Sequence, residues 1–211
     1  MKSEVLRPED EAALLRRQQA LECEAAVVIE DLKLVKGLSR LGTPQQIGSS
    51  ASGLMVWRDI DFHVVTPRLT VDDAWDAMRL FAVQPRIHRV RFMNESGKFN
   101  PTGELRDERY YFCLFYAPDQ GEEWKIDVSF WLNDAPRSEW EDLQKIRMQL
   151  NPESRLAILW LKDVWHSLPT YRTQVFSMDI YDAVLKHDIR TPTEFDNYLT
   201  ERGKPGRQNS V

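Results

Sequence analysis

Cysteine, histidine and glycine are scarce in this 211-residue chain, at two, four and nine residues. The two thiols, Cys23 and Cys113, stand far apart, one in a helical stretch and the other inside an apolar strand. That spacing excludes a disulfide framework and a cysteine-based metal centre, and it favours buried, reduced thiols in an intracellular protein. A run of about 18 apolar residues is also missing, so no membrane-spanning helix and no membrane partner are expected. The charged start MKSEVLRPEDEA lacks the apolar stretch of a secretory signal, and a cytoplasmic location is expected. The last absence is a basic excess. Formal net charge is -5, and no long Lys/Arg run occurs. Nucleic acid attracts proteins through its phosphates, so a nucleic-acid partner would need a local basic groove and is not the expectation.

The chain is 42% hydrophobic, enough for one domain with a buried core and a small helical extension. Residues 8–36 read as one or two helices. Pro8 and the acids Glu9, Asp10 and Glu11 suit the first turn, and Leu14, Leu21, Val28, Leu32 and Val35 form a stripe ending at Gly37. Then the pattern changes. A short QQI segment meets the small-residue turn GSSASG, followed by DIDFHVV, which alternates strictly. Period 2 places Ile60, Phe62 and Val64 on one strand face and Asp59, Asp61 and His63 on the other. Residues 71–84 read as a helix with Val71, Trp75, Met78 and Ala82 on one face, stopped by Pro85. Strands follow at 88–93, 110–116 and 123–132. The second is a continuous apolar run suited to a central strand, and the third has Lys125, Asp127 and Ser129 opposite Ile126, Val128 and Phe130.

The remainder reads as helices. Asn151-Pro152 opens one with the stripe Ala157, Trp160, Leu161, Val164, Trp165 and Leu168, a second covers 177–188, and Thr191-Pro192-Thr193-Glu194 is a capping box for a third. These patterns give a helical segment over 1–37, an α/β core over 38–135, a helical segment over 136–203 and a disordered tail over 204–211.

Two aspartates on one strand face, about 6.6 Å apart along the strand, repel each other unless a cation lies between them. Mg²⁺ prefers carboxylate oxygens and nucleotide phosphates, and a metal pair roughly 3.5–4 Å apart neutralises attacking and leaving oxygens. Upstream, Gly48 lets backbone approach a ligand closely, and Ser49 offers a hydroxyl and an N–H to phosphate. The order Ile47-Gly48-Ser49, then Asp59-Ile60-Asp61-Phe62, resembles the signature of the DNA polymerase beta nucleotidyltransferase superfamily, over roughly residues 38–132.

The resemblance implies an α/β (α+β) nucleotidyltransferase fold, a mixed sheet flanked by helices with a C-terminal helical segment. It implies Asp59 and Asp61 as Mg²⁺ ligands and Asp127, from a later strand, as third ligand or general base. It implies Gly48, Ser49 and Ser50 as contacts to the triphosphate of an NTP co-substrate. The compact size is similar to the antibiotic nucleotidyltransferases, which implies NMP transfer to a hydroxyl of a small molecule. Toxin–antitoxin nucleotidyltransferases acting on protein or tRNA, and a non-catalytic nucleotide-binding relative, remain open, as does a phosphohydrolase using the same aspartates.

Other residues carry two readings each. His63 reads first as a half-exposed strand residue and second as a substrate contact. Arg89 and Arg91 share a strand face that is either solvated or phosphate-binding. Arg58 pairs with a carboxylate or a phosphate, and Lys125 makes a surface ion pair or neutralises developing charge. Ser52 satisfies the turn or adds a phosphate contact. Trp57 and Trp131 pack or stack on a base, whereas Trp160 and Trp165 read as helix packing.

Overall fold

A computed structural model describes residues 5–207. The chain divides into two compact units. One holds the segment up to Leu21, Leu54–Val56 and the chain from Gln144 on; the other holds Glu22–Gly53 and Trp57–Leu143.

The second unit is built on a five-stranded mixed sheet in the order β1-β2-β5-β4-β3. Its strands are β1 (Pro44–Ile47), β2 (Asp59–Val65), β3 (Ile87–Glu95), β4 (Arg109–Tyr116) and β5 (Trp124–Trp131). Strands β2 and β5 pair in parallel, while β1–β2, β5–β4 and β4–β3 are antiparallel. The alternation of DIDFHVV becomes burial: Ile60, Phe62 and Val64 are shielded from solvent with Phe112, Leu114, Ile126, Val128 and Phe130. The opposite face of β2 and β5 carries the polar set.

Helix α1 (Pro8–Asp31) begins at Pro8 with the three expected acids; Leu14, Leu21, Ala25 and Val28 are buried along it, and Leu32 is buried just past its end. Val35 leaves the expected stripe and is exposed. The cause is Lys33, whose φ of 51° breaks the helix before α2 (Leu34–Leu38) and resets the register. Gly37 does not stop a helix but lies within α2. A Cβ there would come 2.4 Å from the Phe81 ring, so glycine serves close packing. Cys23, expected to be buried, is exposed, while Cys113 is buried and free. The GSSASG turn is one short helical turn, α3 (Gly48–Ser52).

Helix α4 (Val71–Ala82) starts at a capping box between Thr70 and Asp73. Its buried face is Ala74, Ala77, Met78 and Phe81, rotated from the expected one. Small alanines allow close approach, and Trp75 sits at the rim with its ring 5.0 Å from Phe112 and 5.2 Å from Phe92.

Helix α5 (Ser138–Gln149) has residues in both units. The first unit also holds α6 (Pro152–Trp165), α7 (Ser177–His187) and α8 (Pro192–Glu201). The expected caps form at Asn151 and Thr191. Helix α6 buries more than a stripe. Ile158, Leu159, Leu161 and Trp165 are fully shielded, and so is Lys162, whose ammonium donates to the Leu54 carbonyl at 2.6 Å. Residues 204–207, expected within a disordered tail, are instead tied down: Lys204 pairs with Asp179 at 2.6 Å and Arg207 with Asp196 at 2.7 Å. Residues 208–211 lie outside the described chain. Among the described residues, no helix is long and apolar enough to cross a membrane.

Candidate active site

Pairing register assembles the polar face of β2 and β5. Asp59 stands opposite Lys125, Asp61 opposite Asp127, and His63 opposite Ser129. Each carboxylate of Asp59, Asp61 and Asp127 offers an oxygen within 4.8 Å of the others. Asp59 is buried and the other two are half-buried. Three such anions cannot share this space without cations or strong donors.

Part of the compensation comes from the chain itself. The Lys125 ammonium donates to Asp59 Oδ1 at 3.3 Å and makes a short hydrogen bond to Asp127 Oδ2. Burial alone would lower the Lys125 pKa, but the charges of Asp59, Asp127 and Asp61 outweigh it and raise it. The Trp57 indole donates its Nε1–H to Asp59 Oδ2 at 3.1 Å, so this ring orients a carboxylate through its edge. Asp127 Oδ1 is buried and makes no close hydrogen bond among the described residues.

Strand β4 closes the other side of Asp127. Cys113 is its register partner, and Tyr111 faces the neighbouring Ser129. Burial and then the Asp127 charge push the Cys113 thiol up to about 12 and raise the Tyr111 phenol well above its usual range. Both therefore remain neutral beside the carboxylates. Sequence alternation placed these residues in a strand but carried no register, so it gave no sign that they meet Asp127.

The upstream turn packs against Asp61. Gly48 has φ +69°, and a Cβ built there would lie 2.6 Å from Asp61 Oδ2. Both facts require glycine. Ser49 is buried, and its hydroxyl makes no hydrogen bond within the described residues. The Ser50 hydroxyl accepts from Gln46 Nε2 at 3.1 Å, and the Ser52 hydroxyl donates to the Gly48 carbonyl at 3.0 Å, which favours its turn-satisfying reading.

The remaining candidates are engaged elsewhere. Arg58 pairs with Glu24 and Glu122, each at 2.9 Å, so it serves a carboxylate network. Arg89 stacks 3.6 Å from the Phe115 ring centre and pairs with Glu123 at 3.2 Å, while Arg91 lies 5.9 Å from the same ring. Trp131 is buried beneath Arg137, 3.7 Å from its ring centre, and is not open for stacking.

His63 meets Trp131 edge-on at 5.3 Å. Burial first, then Arg109 and Arg137, lower its pKa from 6.5 to about 4. The unfolded chain thus binds a proton that the folded one refuses until lower pH. The stability His63 contributes is complete above 6.5 and is lost as pH falls towards about 4. The melting midpoint should drop from about pH 7 to about pH 5, and His63→Gln should flatten that drop; an equal slope in the variant would refute this assignment.

No protein-family model matches the chain, and no curated protein matches it. Its backbone is nevertheless similar to several solved structures. One is described as a cytoplasmic RNA terminal U-transferase, with a TM-score of 0.55 and 16% identity over 80% of this chain and 49% of that one. Another is the Cid1 poly(U) polymerase with MgGTP bound, at 0.56 and 15% over 84% and 55%. A third is a STING-associated CdnE c-di-GMP synthase from Capnocytophaga granulosa, at 0.53 and 13% over 93% and 73%. The chain spans about half the length of the first two. They do not single out the antibiotic-modifying branch. What these likenesses establish is the fold: a mixed five-stranded sheet with flanking helices, shared with these three structures.

Proposed function

We propose that this chain is a Mg²⁺-dependent nucleotidyltransferase that moves an NMP unit from an NTP to a hydroxyl of a small molecule, with release of pyrophosphate. The convergence of Asp59, Asp61 and Asp127 carries this reading. Their donor set fits Mg²⁺, being all oxygen and anionic. Asp127 Oδ1, buried and without a close hydrogen bond among the described residues, supports the fit, because leaving such an atom unsatisfied costs about 1–3 kcal/mol. Asp59 and Asp61 would hold the cation, and Asp127 would complete the set. When bound, divalent cations supply charge neutralisation at the attacking and leaving oxygens of the transferred phosphoryl group.

The chain's own residues do the rest. Gly48 gives the triphosphate close access to backbone, and Ser49 and Ser50 offer it hydroxyls and N–H groups. Asp127 would either serve only as that third ligand or also accept the proton of the acceptor hydroxyl. Trp57 fixes one Asp59 oxygen, leaving that carboxylate less freedom to rotate.

The likeness to an RNA terminal U-transferase and a poly(U) polymerase favours a second reading, in which the acceptor is an RNA end. The formal net charge of -5 favours the small acceptor. Incubation with four NTPs, Mg²⁺ and a panel of aminoglycosides, lincosamides, tRNA and proteins decides between them. The expected result is pyrophosphate in solution and one NMP added to the mass of a small acceptor. An NMP added only to tRNA would select the second reading. Orthophosphate without added mass would instead mean hydrolysis and overturn both.

A further inference from the structure

Lys125 stands in an unusual position for a lysine. It lies on the same face of β5 as Asp127 and directly across from Asp59 on β2. Its ammonium bridges these two carboxylates, with the Asp59 oxygen at 3.3 Å and the Asp127 oxygen closer. The lysine is half-buried, so these contacts are less screened by solvent than those of a surface pair. The neighbouring arginines do not share this task. Arg58 is held by Glu24 and Glu122, Arg89 by Glu123 and Arg109 by Glu95.

We infer that Lys125 is an internal counter-cation that occupies the carboxylate cluster and yields its place when a divalent cation binds. The inference rests on the metal-binding reading of Asp59, Asp61 and Asp127. A carboxylate that shares its charge with the ammonium is a weaker metal ligand, and two cations a few ångströms apart repel. Lys125 therefore stabilises the cluster without metal and competes with metal for the same carboxylates. A flexible four-carbon stem with a point charge suits that exchange better than the planar fork of arginine. A lysine that only packed the sheet would leave metal affinity unchanged on removal.

Titration of the whole protein with Mn²⁺ alone, followed by the electron paramagnetic resonance of the free ion, tests this directly. Wild type should bind Mn²⁺, and Asp61→Asn should bind it far more weakly. Lys125→Met should bind Mn²⁺ at least about tenfold tighter than wild type. Lys125→Arg, which keeps the charge on a less yielding fork, should bind Mn²⁺ no tighter than wild type. Without metal, Lys125→Met should melt lower than wild type and gain more from added Mn²⁺. If the methionine variant does not fold, Lys125→Gln replaces it, since the amide retains an N–H donor for Asp59 without the charge. Equal or weaker Mn²⁺ binding by the neutral variant, with Asp61→Asn still deficient, overturns the role of Lys125 alone. Binding that is absent in wild type, or unaffected by Asp61→Asn, overturns the metal site beneath it.

Discussion

Asp61→Asn should reduce nucleotidyl transfer by at least about a thousandfold while leaving the protein folded. Asparagine matches aspartate in shape, so the sheet needs no repacking. It removes one of three negative charges whose oxygens lie within 4.8 Å of each other. The folded protein should therefore melt at the wild-type temperature or above it, because less repulsion is stored in the cluster. Activity should move the other way, because the missing charge belongs to the proposed cation-binding set. Initial rates of pyrophosphate release, read beside a melting curve, separate these effects. A variant with near-normal rates would remove Asp61 from the chemistry, and a variant that melts early would show a structural aspartate.

Gly48→Ala is the second large effect. The new methyl group faces two obstacles. At φ +69° an alanine pays a left-handed backbone cost of about 1–2 kcal/mol. It would also sit 2.6 Å from Asp61 Oδ2, so the carboxylate or the turn must shift. Displacements near 1 Å cost roughly a hundredfold where reacting groups must be aligned. The expected outcome is a modest loss of melting temperature together with a drop of about a hundredfold in transfer rate. Gly97, at φ +54°, is the internal comparison: a Cβ there meets nothing within 4 Å. Gly97→Ala should show the backbone cost and keep the activity. Equal activity losses in both variants would mean that the contact with Asp61 is irrelevant.

Local pattern carried much of this site, for a physical reason. A strand repeats every two residues, so DIDFHVV had to send Asp59 and Asp61 to the face opposite Ile60, Phe62 and Val64. Gly48 read as a place where backbone approaches closely, and the close approach found is to Asp61, at a positive φ. Helix starts were equally legible, since Asn151 and Thr191 satisfy N–H groups within their own first turns. Pairing register was not legible. Nothing in the sequence says that Asp127 lies opposite Asp61, that Lys125 lies opposite Asp59, or that Cys113 backs Asp127. Lys125 accordingly keeps both its readings, surface ion pair or neutraliser of developing charge, until β2 and β5 are aligned. Burial faces were also missed where the backbone departs from regular geometry or small residues permit close contact. Lys33 at φ 51° turned Val35 outward, and Gly37 marks contact with Phe81, not a helix end.

On the proposed function, Asp59, Asp61 and Asp127 bind nucleotide through a divalent cation. Thermal melting with each NTP, with and without Mg²⁺, in wild type and in the Asp59→Asn plus Asp61→Asn double variant tests it most directly. A ligand at about a hundred times its dissociation constant adds roughly 2.7 kcal/mol, which is a shift of several degrees. The expected result is a rise in the wild-type midpoint that needs both NTP and Mg²⁺ and disappears in the double variant. A metal-dependent rise that survives in the double variant would contradict the account.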